Sequence, residues 1–308
     1  PATPAAAESA LALLRSLAPL SATTAGDAEQ RRCALLVLTS AVEVHLPLLL
    51  GRRRDVPPNA RAEETCASVW KLLADATHAL RSSSDFDILP SFWSSVAASV
   101  GKTVVAAAAA APIELQVRAF LPSIAMLLLQ SCAHPDGLAG EERQRRRQMV
   151  QSAVRSITAV VGSAAVLSAL VVPSDVEGAA ALPWQRSELL LFALRCCAKH
   201  VDPRNDAIGA LLSRACAAPL HSLTRRAAID AFVPLAKWLH AHPASLCFAL
   251  QLLISSIVLD VPREMIEFLD THYCLGTHAG GAMQDPRVMD ASAASVAFRK
   301  LCFQSARA

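Results

Sequence analysis

The strongest apolar pattern of the chain lies between Pro183 and Asp206. Apolar residues recur there at helical spacing along one face, and further apolar residues occupy a second face, so we predict a helix with packing neighbours on two sides. The first face comprises Leu190, Ala193, Leu194, Cys197 and Val201, and the second comprises Leu189, Leu191 and Phe192. A helix of this kind belongs inside a layered assembly of other helices.

Similar helical spacing of apolar residues recurs along most of the chain, and no run shows the alternation expected of strands. The pattern changes to polar, Gly-rich or Pro-rich sequence at 51–59 and at 271–285, which we interpret as loops. The predicted helices are 5–20, 27–50, 62–80, 88–111, 112–132, 141–161, 164–171, 183–201, 207–217, 220–240, 244–259 and 292–306. The pattern therefore predicts an all-α protein.

Many of these predicted helices are joined by turns of a few residues, which favours antiparallel neighbours. Helix pairs that repeat about every forty residues are typical of HEAT and armadillo arrays, in which each pair buries its apolar face against the next. We therefore predict that residues 1–308 form a single HEAT/ARM-like helical-repeat segment, an α-α superhelix. The chain begins at Pro1, and we expect it to be a fragment of a longer solenoid. A compact helical bundle is the alternative arrangement.

Composition supports a folded helical protein in a reducing compartment. Hydrophobic residues make up 53% of the chain and aromatic residues only 5%, which favours helices over strands. The nine cysteines form no CxxC pair, so we interpret them as small core residues rather than disulfides. A formal charge of +3 is too small to indicate a nucleic-acid partner.

Two stretches, 156–174 and 243–259, carry no charged side chain and are long enough to raise the question of a membrane span. Both contain polar residues and are close to the minimum spanning length, so we predict buried helices and no membrane insertion. The beginning of the chain lacks the basic and apolar regions of a signal peptide.

Sequence motifs for nucleotide binding, metal binding or catalysis are weak in this chain. Gly101, Lys102 and Thr103 resemble the end of a P-loop, but Val96 occupies the position of its first glycine. A loop places His272, Cys274 and His278 close together without a fourth zinc ligand at the usual spacing. No nucleophile or paired-carboxylate motif occurs, so we expect no catalytic residue, no cofactor and no metal.

The densest basic cluster begins a predicted helix, and we treat it as the candidate partner-binding site. It contains Arg143, Arg145, Arg146 and Arg147, followed two turns later by Arg155. Arginine at a helix N-terminus opposes the helix dipole, which slightly favours a functional role. The cluster is either a solvated helix start or an electropositive patch for an acidic or phosphorylated partner. A second cluster, residues 52–54, lies in a predicted loop.

Four segments, in order, resemble signatures of the importin-β superfamily, in the branch of transportin-3 and importin-13. Asp85 to Val96 resembles a helix with an aromatic pair, and Arg147 to Ser163 resembles an Arg-containing helix that ends in Gly-Ser. Trp184 to Asp206 is similar to a Trp, Glu and apolar run that closes in a VDP turn, and Ser292 to Cys302 resembles a small-residue helix ending in Cys. The resemblance spans most of the chain.

The resemblance implies the middle segment of a nuclear transport receptor built of HEAT repeats. Such a receptor binds protein cargo, the Ran GTPase and the Phe-Gly repeats of nucleoporins, and it shuttles between cytoplasm and nucleus without catalysis. The alternative is a HEAT-repeat scaffold for a cytosolic protein assembly that does not depend on Ran. If Trp184 is buried between repeats, we expect Trp184→Ala to destabilise the fold by roughly 3–5 kcal/mol, and if it is exposed it becomes a partner-binding candidate.

Overall fold

The computed structural model describes residue 12 and residues 28–52, 60–80, 84–101, 112–133, 140–171, 182–217 and 221–258. Within these ranges the protein is all-α, with no strand. The predicted helices at 5–20 and 292–306, the alanine run 106–111 and the loop 271–285 lie outside the described residues, apart from residue 12. The chain divides into two compact units, Pro1–Leu170 and Val171–Ala308. Whether they belong to one repeat segment stays a prediction.

In the first unit, the described helices are long and joined by breaks of varied length. We number the α-helices in chain order; a 3-10 helix, Ser84–Asp87, leads directly into α4. The helices are α1 Ala28–Val44, α2 Leu46–Leu49, α3 Ala60–Leu80, α4 Ile88–Gly101, α5 Pro112–Gln130, α6 Gly140–Val161 and α7 Ser163–Leu170.

In the second unit, the helices are shorter and the turns between them carry more of the polar contacts. A 3-10 helix, Ala198–His200, extends the first of them. The helices are α8 Trp184–Cys197, α9 Ala207–Ala215, α10 Ser222–Phe232, α11 Ala236–Ala241 and α12 Pro243–Val258.

Two predicted helices are each divided in the structure. The helix predicted for 27–50 breaks at His45, and α2 begins again with Pro47 in its first turn. The helix predicted for 220–240 breaks between Phe232 and Ala236, where Pro234 lies. Proline has no N–H to donate and clashes with the preceding turn, so it starts a new helix more readily than it continues one.

The helices of the first unit pack in an alternating order. With α1 and its continuation α2 counted as one bent helix, α1 packs on α4, α3 on α5, α4 on α6, and α5 on α7. Each helix thus contacts the second helix along the chain, as well as a sequential neighbour in several cases. The core between them holds fully buried large side chains, among them Trp70, Phe86 and Trp93.

The second unit shows the same order of packing. With α10 and α11 counted as one bent helix, α8 packs on α10 and α9 packs on α12. All residues of α8 from Ser187 to Leu194 are buried, as are Cys196 and Cys197. This burial confirms the prediction that the helix has neighbours on two sides, although Val201 at its polar end is only half-buried.

One described helix, Pro112–Gln130, is long and apolar enough to cross a membrane, a property that core helices share. It carries two charged residues, Glu114 and Arg118, and both bond within the first unit. Arg118 donates to the Val160 carbonyl at 2.9 Å. The apolar stretch from 156 is divided at Gly162, whose φ of 86° suits glycine, and the helices on either side meet at 118°. The absence of membrane insertion stays a prediction.

Candidate partner-binding surface

Helix α6 carries all five arginines of the candidate site, and the helix divides them among three faces. Arg146 faces the core and is only 3% exposed. Its Nε lies 3.5 Å from Asp87 Oδ1, and its guanidinium lies 5.5 Å from the centre of the Phe86 ring. This arginine stabilises the packing of α6 on the 3-10 helix, so its assignment to a partner-binding surface is corrected.

A second face consists of residues four apart along α6, which lie one above the other on a helix. Its members are Arg143, Arg147, Gln151 and Arg155, and all four are half-buried. The Nε atoms of the three arginines are shielded from solvent. These side chains run along the flank of the helix with their stems covered, so they form a ridge rather than an extended solvated patch.

The third face contains Arg145, the one member of the cluster that is fully on the surface. Met149, Ser152 and Ser156 follow it at helical spacing of four, three and four residues, so these side chains share one stripe. This stripe borders helix α4. Arg145 therefore lies at one end of the line of side chains that forms the α6 wall of a groove.

The groove between α4 and α6 encloses about 370 Å³, and four of its seven lining residues are serines. Ser94 of α4 and Ser156 of α6 are joined by a hydrogen bond of 2.9 Å at its edge. The lining residues are Pro90, Ser91, Ser94, Ser95, Ala98, Met149 and Ser152. Hydroxyls both donate and accept, so the groove suits the backbone of an extended polypeptide. No lining side chain of this groove carries a charge.

Arg52, from the second basic cluster, makes a structural clamp. Its Nε and Nη2 each donate to a Glu114 carboxylate oxygen at 2.9 Å, and Nη2 also donates to the Ser99 carbonyl at 2.9 Å. Glu114 is 4% exposed, so the pair fastens the segment after α2 to α4 and α5. A lone glutamate in an apolar helix is the sequence signal that indicates such a partner, and our sequence reading missed it. Arg53 and Arg54 lie outside the described residues.

The weak sequence motifs form no site among the residues that the structure describes. Gly101 ends helix α4, and a Cβ there would lie 3.2 Å from a Val160 methyl, so this glycine permits close helix packing. Lys102 and Thr103 fall outside the described residues, as do His272, Cys274 and His278. Among the residues that the structure describes, no group of three His, Cys, Asp or Glu could hold a metal.

Three of the described cysteines in the second unit are packing residues. Cys196, Cys197 and Cys216 are buried. Burial raises the pKa of the Cys216 thiol to about 12, so it stays a thiol at neutral pH and is a poor nucleophile. The interpretation as core residues is confirmed for the buried cysteines, Cys66 and Cys132 included, and is wrong for Cys33 and Cys247, which are exposed.

Trp184 is only partly buried. It is half-exposed at the first position of α8, and its ring stacks on His221 with centres 4.2 Å apart. Its carbonyl accepts a hydrogen bond from the Thr224 hydroxyl at 3.3 Å. Trp184 therefore joins the start of α8 to the start of α10 through its ring and its carbonyl.

A second tryptophan–histidine stack lies at the junction of α11 and α12. The Trp238 and His242 rings have centres 4.1 Å apart and an interplanar angle of 17°. Unlike Trp184, Trp238 is 2% exposed, and its indole Nε1–H donates to the Asn205 carbonyl at 2.9 Å. The stack thereby connects this junction to the turn that precedes α9.

Comparison with known proteins does not assign a family. No family model matches the chain, and no curated protein matches it. The likeness to importin-β receptors therefore rests on the ordered segments of the sequence. The class that the fold itself defines is an all-α protein whose helices pack in alternating order.

Proposed function

We propose that this chain is a segment of a nuclear transport receptor of the importin-β type, built as a HEAT-repeat solenoid. The observation that carries the proposal is the alternating order of helix packing in both units. In a HEAT array, first helices pack on first helices and second helices on second helices, so each helix contacts the one two places along the chain. A generic antiparallel bundle does not require each helix to contact the second helix along the chain.

The role of the chain in such a receptor is to present surface to proteins. Grooves between helices of the same layer offer sites for extended polypeptides, and the groove between α4 and α6 has the dimensions and hydroxyl lining for this. Arg145, exposed at the end of that groove, adds a positive charge that favours acidic segments of a cargo protein. The expected chemistry is reversible binding, with no cofactor and no reaction step.

Control by Ran follows from the physics of stacked repeats. In a quasi-one-dimensional stack each repeat contacts only its neighbours, so small adjustments at successive contacts add up along the array. A GTP-bound partner that binds one arrangement of the repeats better than another shifts the population of arrangements and thereby the affinity for cargo.

Binding experiments with the full-length receptor test this proposal. We expect the immobilised receptor to retain Ran locked in its GTP state, or Phe-Gly repeats of nucleoporins, and to retain GDP-bound Ran much less. The GDP form is the matched control because it differs by one phosphate. Retention of neither GTP-bound Ran nor pore repeats would contradict the transport function and would favour the alternative, a HEAT-repeat scaffold of a cytosolic assembly.

A paired substitution tests the groove. Arg145→Glu reverses the exposed charge at the end of the groove, and Arg155→Glu reverses one on the half-buried ridge. We expect the first to weaken retention of an acidic cargo by roughly tenfold or less, the range of an exposed ion pair. An equal effect of both substitutions would show that the groove is not where the cargo binds.

A further inference from the structure

His242 stands between two hydrogen-bond acceptors. Its Nδ1 lies 2.9 Å from the Trp238 carbonyl oxygen, and its Nε2 lies 3.0 Å from Asp206 Oδ1. Neither a carbonyl oxygen nor a carboxylate can donate, and a neutral imidazole has only one N–H. The ring can satisfy both contacts only when both nitrogens carry a proton, which is the imidazolium form.

The surroundings of the ring favour the same protonation state. The ring stacks on Trp238, and an imidazolium over an indole face gains a cation–π attraction. The Trp238 carbonyl raises the pKa of His242 above its ordinary 6.5, burial opposes this, and the hydrogen bond and charge of Asp206 add to the rise. Only 19% of the histidine side chain is exposed.

The contacts tie together parts of the second unit that are distant in sequence. Asp206 precedes α9, whereas Trp238 and His242 flank the junction of α11 and α12. The Trp238 indole donates to the Asn205 carbonyl beside Asp206. At Gly209 a Cβ would lie 3.6 Å from the indole, so the first turn of α9 is within contact range of the same ring.

We propose that His242 is a proton-operated latch between the start of α9 and the α11–α12 junction. With both ring nitrogens protonated, the latch is closed. Loss of one proton leaves a single N–H, which stays with the Trp238 carbonyl, while a lone pair then faces the Asp206 carboxylate. Asp206 is the contact that opens, because its side chain is 92% exposed and water replaces the lost hydrogen bond at little cost. The inference does not depend on the transport function.

Other ionisable groups on the surrounding elements do not bond the ring among the described residues. On α10, Asp230 pairs with Arg195 at 2.9 Å. The remaining titratable or charged side chains of the packed elements and the adjoining turn are Asp202, Arg204, Arg214, Arg225, Arg226, Lys237, His240 and Cys247. Asp206 is thus the ionised partner whose removal should change the titration of His242.

Histidine NMR titration of the whole chain tests the latch. We expect both nitrogens of His242 to carry protons at pH values where an ordinary histidine is half-neutral, with a titration midpoint above 6.5. Asp206→Ala should lower that midpoint. Because the Asp206 side chain makes no helix cap, this change removes the ion pair alone. A midpoint at or below 6.5, or one that Asp206→Ala leaves unchanged, would overturn the proposal.

The mechanical half of the latch needs a separate readout. The indole N–H of Trp238 reports on the turn before α9, and we expect its NMR signal to shift through the same midpoint as His242. His242→Phe keeps a ring on Trp238 and removes both N–H groups, so it should abolish that shift. The matched control His221→Phe, at the other stack, should preserve it. An indole signal that ignores the His242 midpoint would overturn the latch even if the histidine titrates as expected.

Discussion

The tryptophans of the two units are held in different ways. In the first unit, Trp93 is fully buried, its ring lies 6.3 Å from that of Trp70, and its indole donates to the Thr77 hydroxyl at 2.9 Å. In the second unit, Trp184 and Trp238 each stack on a histidine at a helix junction. The first arrangement contains no histidine, whereas the second contains one at each stack.

This difference shows that equal residue types serve unequal roles in the two units. Buried aromatic pairs stabilise the first unit through area removed from water and edge-to-face contact, which do not respond to protons. The stacks of the second unit also fix the turns between helices, and protonation of His242 couples its stack to pH. Helix positions should therefore be constant in the first unit and adjustable in the second.

The largest effect is expected from Trp93→Ala. This change opens a large cavity between α3 and α4 and leaves the Thr77 hydroxyl without the indole donor, so we expect a loss of about 3–5 kcal/mol in the free energy of unfolding of the first unit. Denaturant unfolding followed by circular dichroism measures it. A loss below about 1 kcal/mol would contradict the burial of this ring.

The next largest effects are expected from two ion pairs, one in each unit, that differ in their burial. Arg52→Met leaves the Glu114 carboxylate charged and buried. Because Arg52 is 21% exposed, we expect the free energy of unfolding to fall by about 2–3 kcal/mol, somewhat less than for a fully buried pair. The matched change in the second unit, Arg195→Met, removes a pair in which both side chains are one-third exposed, and should cost about 1 kcal/mol or less. Equal losses would show that Glu114 is reached by water.

A smaller effect is expected from Trp184→Ala. A ring buried between repeats would cost as much as Trp93→Ala, but the Trp184 ring is half-exposed. The loss should be about 1–2 kcal/mol, from one stacked face and its apolar area. A loss equal to that of Trp93→Ala would mean that the remaining ring face is covered in the protein in solution.

The smallest change in the free energy of unfolding is expected from a change in pH. The pKa of His242 is raised in the folded state, so its stabilising contribution is fully present below the ordinary pKa of 6.5 and is lost as pH rises through the folded value. Stability of His242→Phe, compared with the unsubstituted chain across neutral pH, should show the smaller decline toward alkaline pH.

Helix content could be predicted from the sequence because periodicity records which face is buried. The helices from Ala60 to Leu80 and from Gly140 to Val161 begin within two residues of their predicted starts. The breaks at His45 and Val233 were missed, since a proline near a helix end is compatible with either a bend or a new start. The apolar pattern could not predict packing partners, because it shows that α4 has an apolar face but does not show that α6 covers this face.

The candidate site shows the same limit more sharply. A run of arginines predicts positive charge near the start of α6, and it lies there. Helical periodicity could have shown that Arg145 and Arg146 lie on different faces, since adjacent residues point about 100° apart on a helix. It could not have shown which of the two arginines lies beside Asp87. The clamp of Arg52 and the latch of His242 join residues 62 and 36 positions apart, so only the fold brings their partners together.

The alternating packing of helices, on which the proposed function rests, can be tested directly by cross-linking. Ser94 and Ser156 have their hydroxyl oxygens 2.9 Å apart across α4 and α6, so Ser94→Cys with Ser156→Cys should form a disulfide on mild oxidation. Peptide mapping should detect this link in the double variant and not in the control pair Ser95→Cys with Ser156→Cys, whose first cysteine is turned away by one helical position. Failure of the 94–156 link to form, or equal linking in the control, would contradict the packing of α4 on α6.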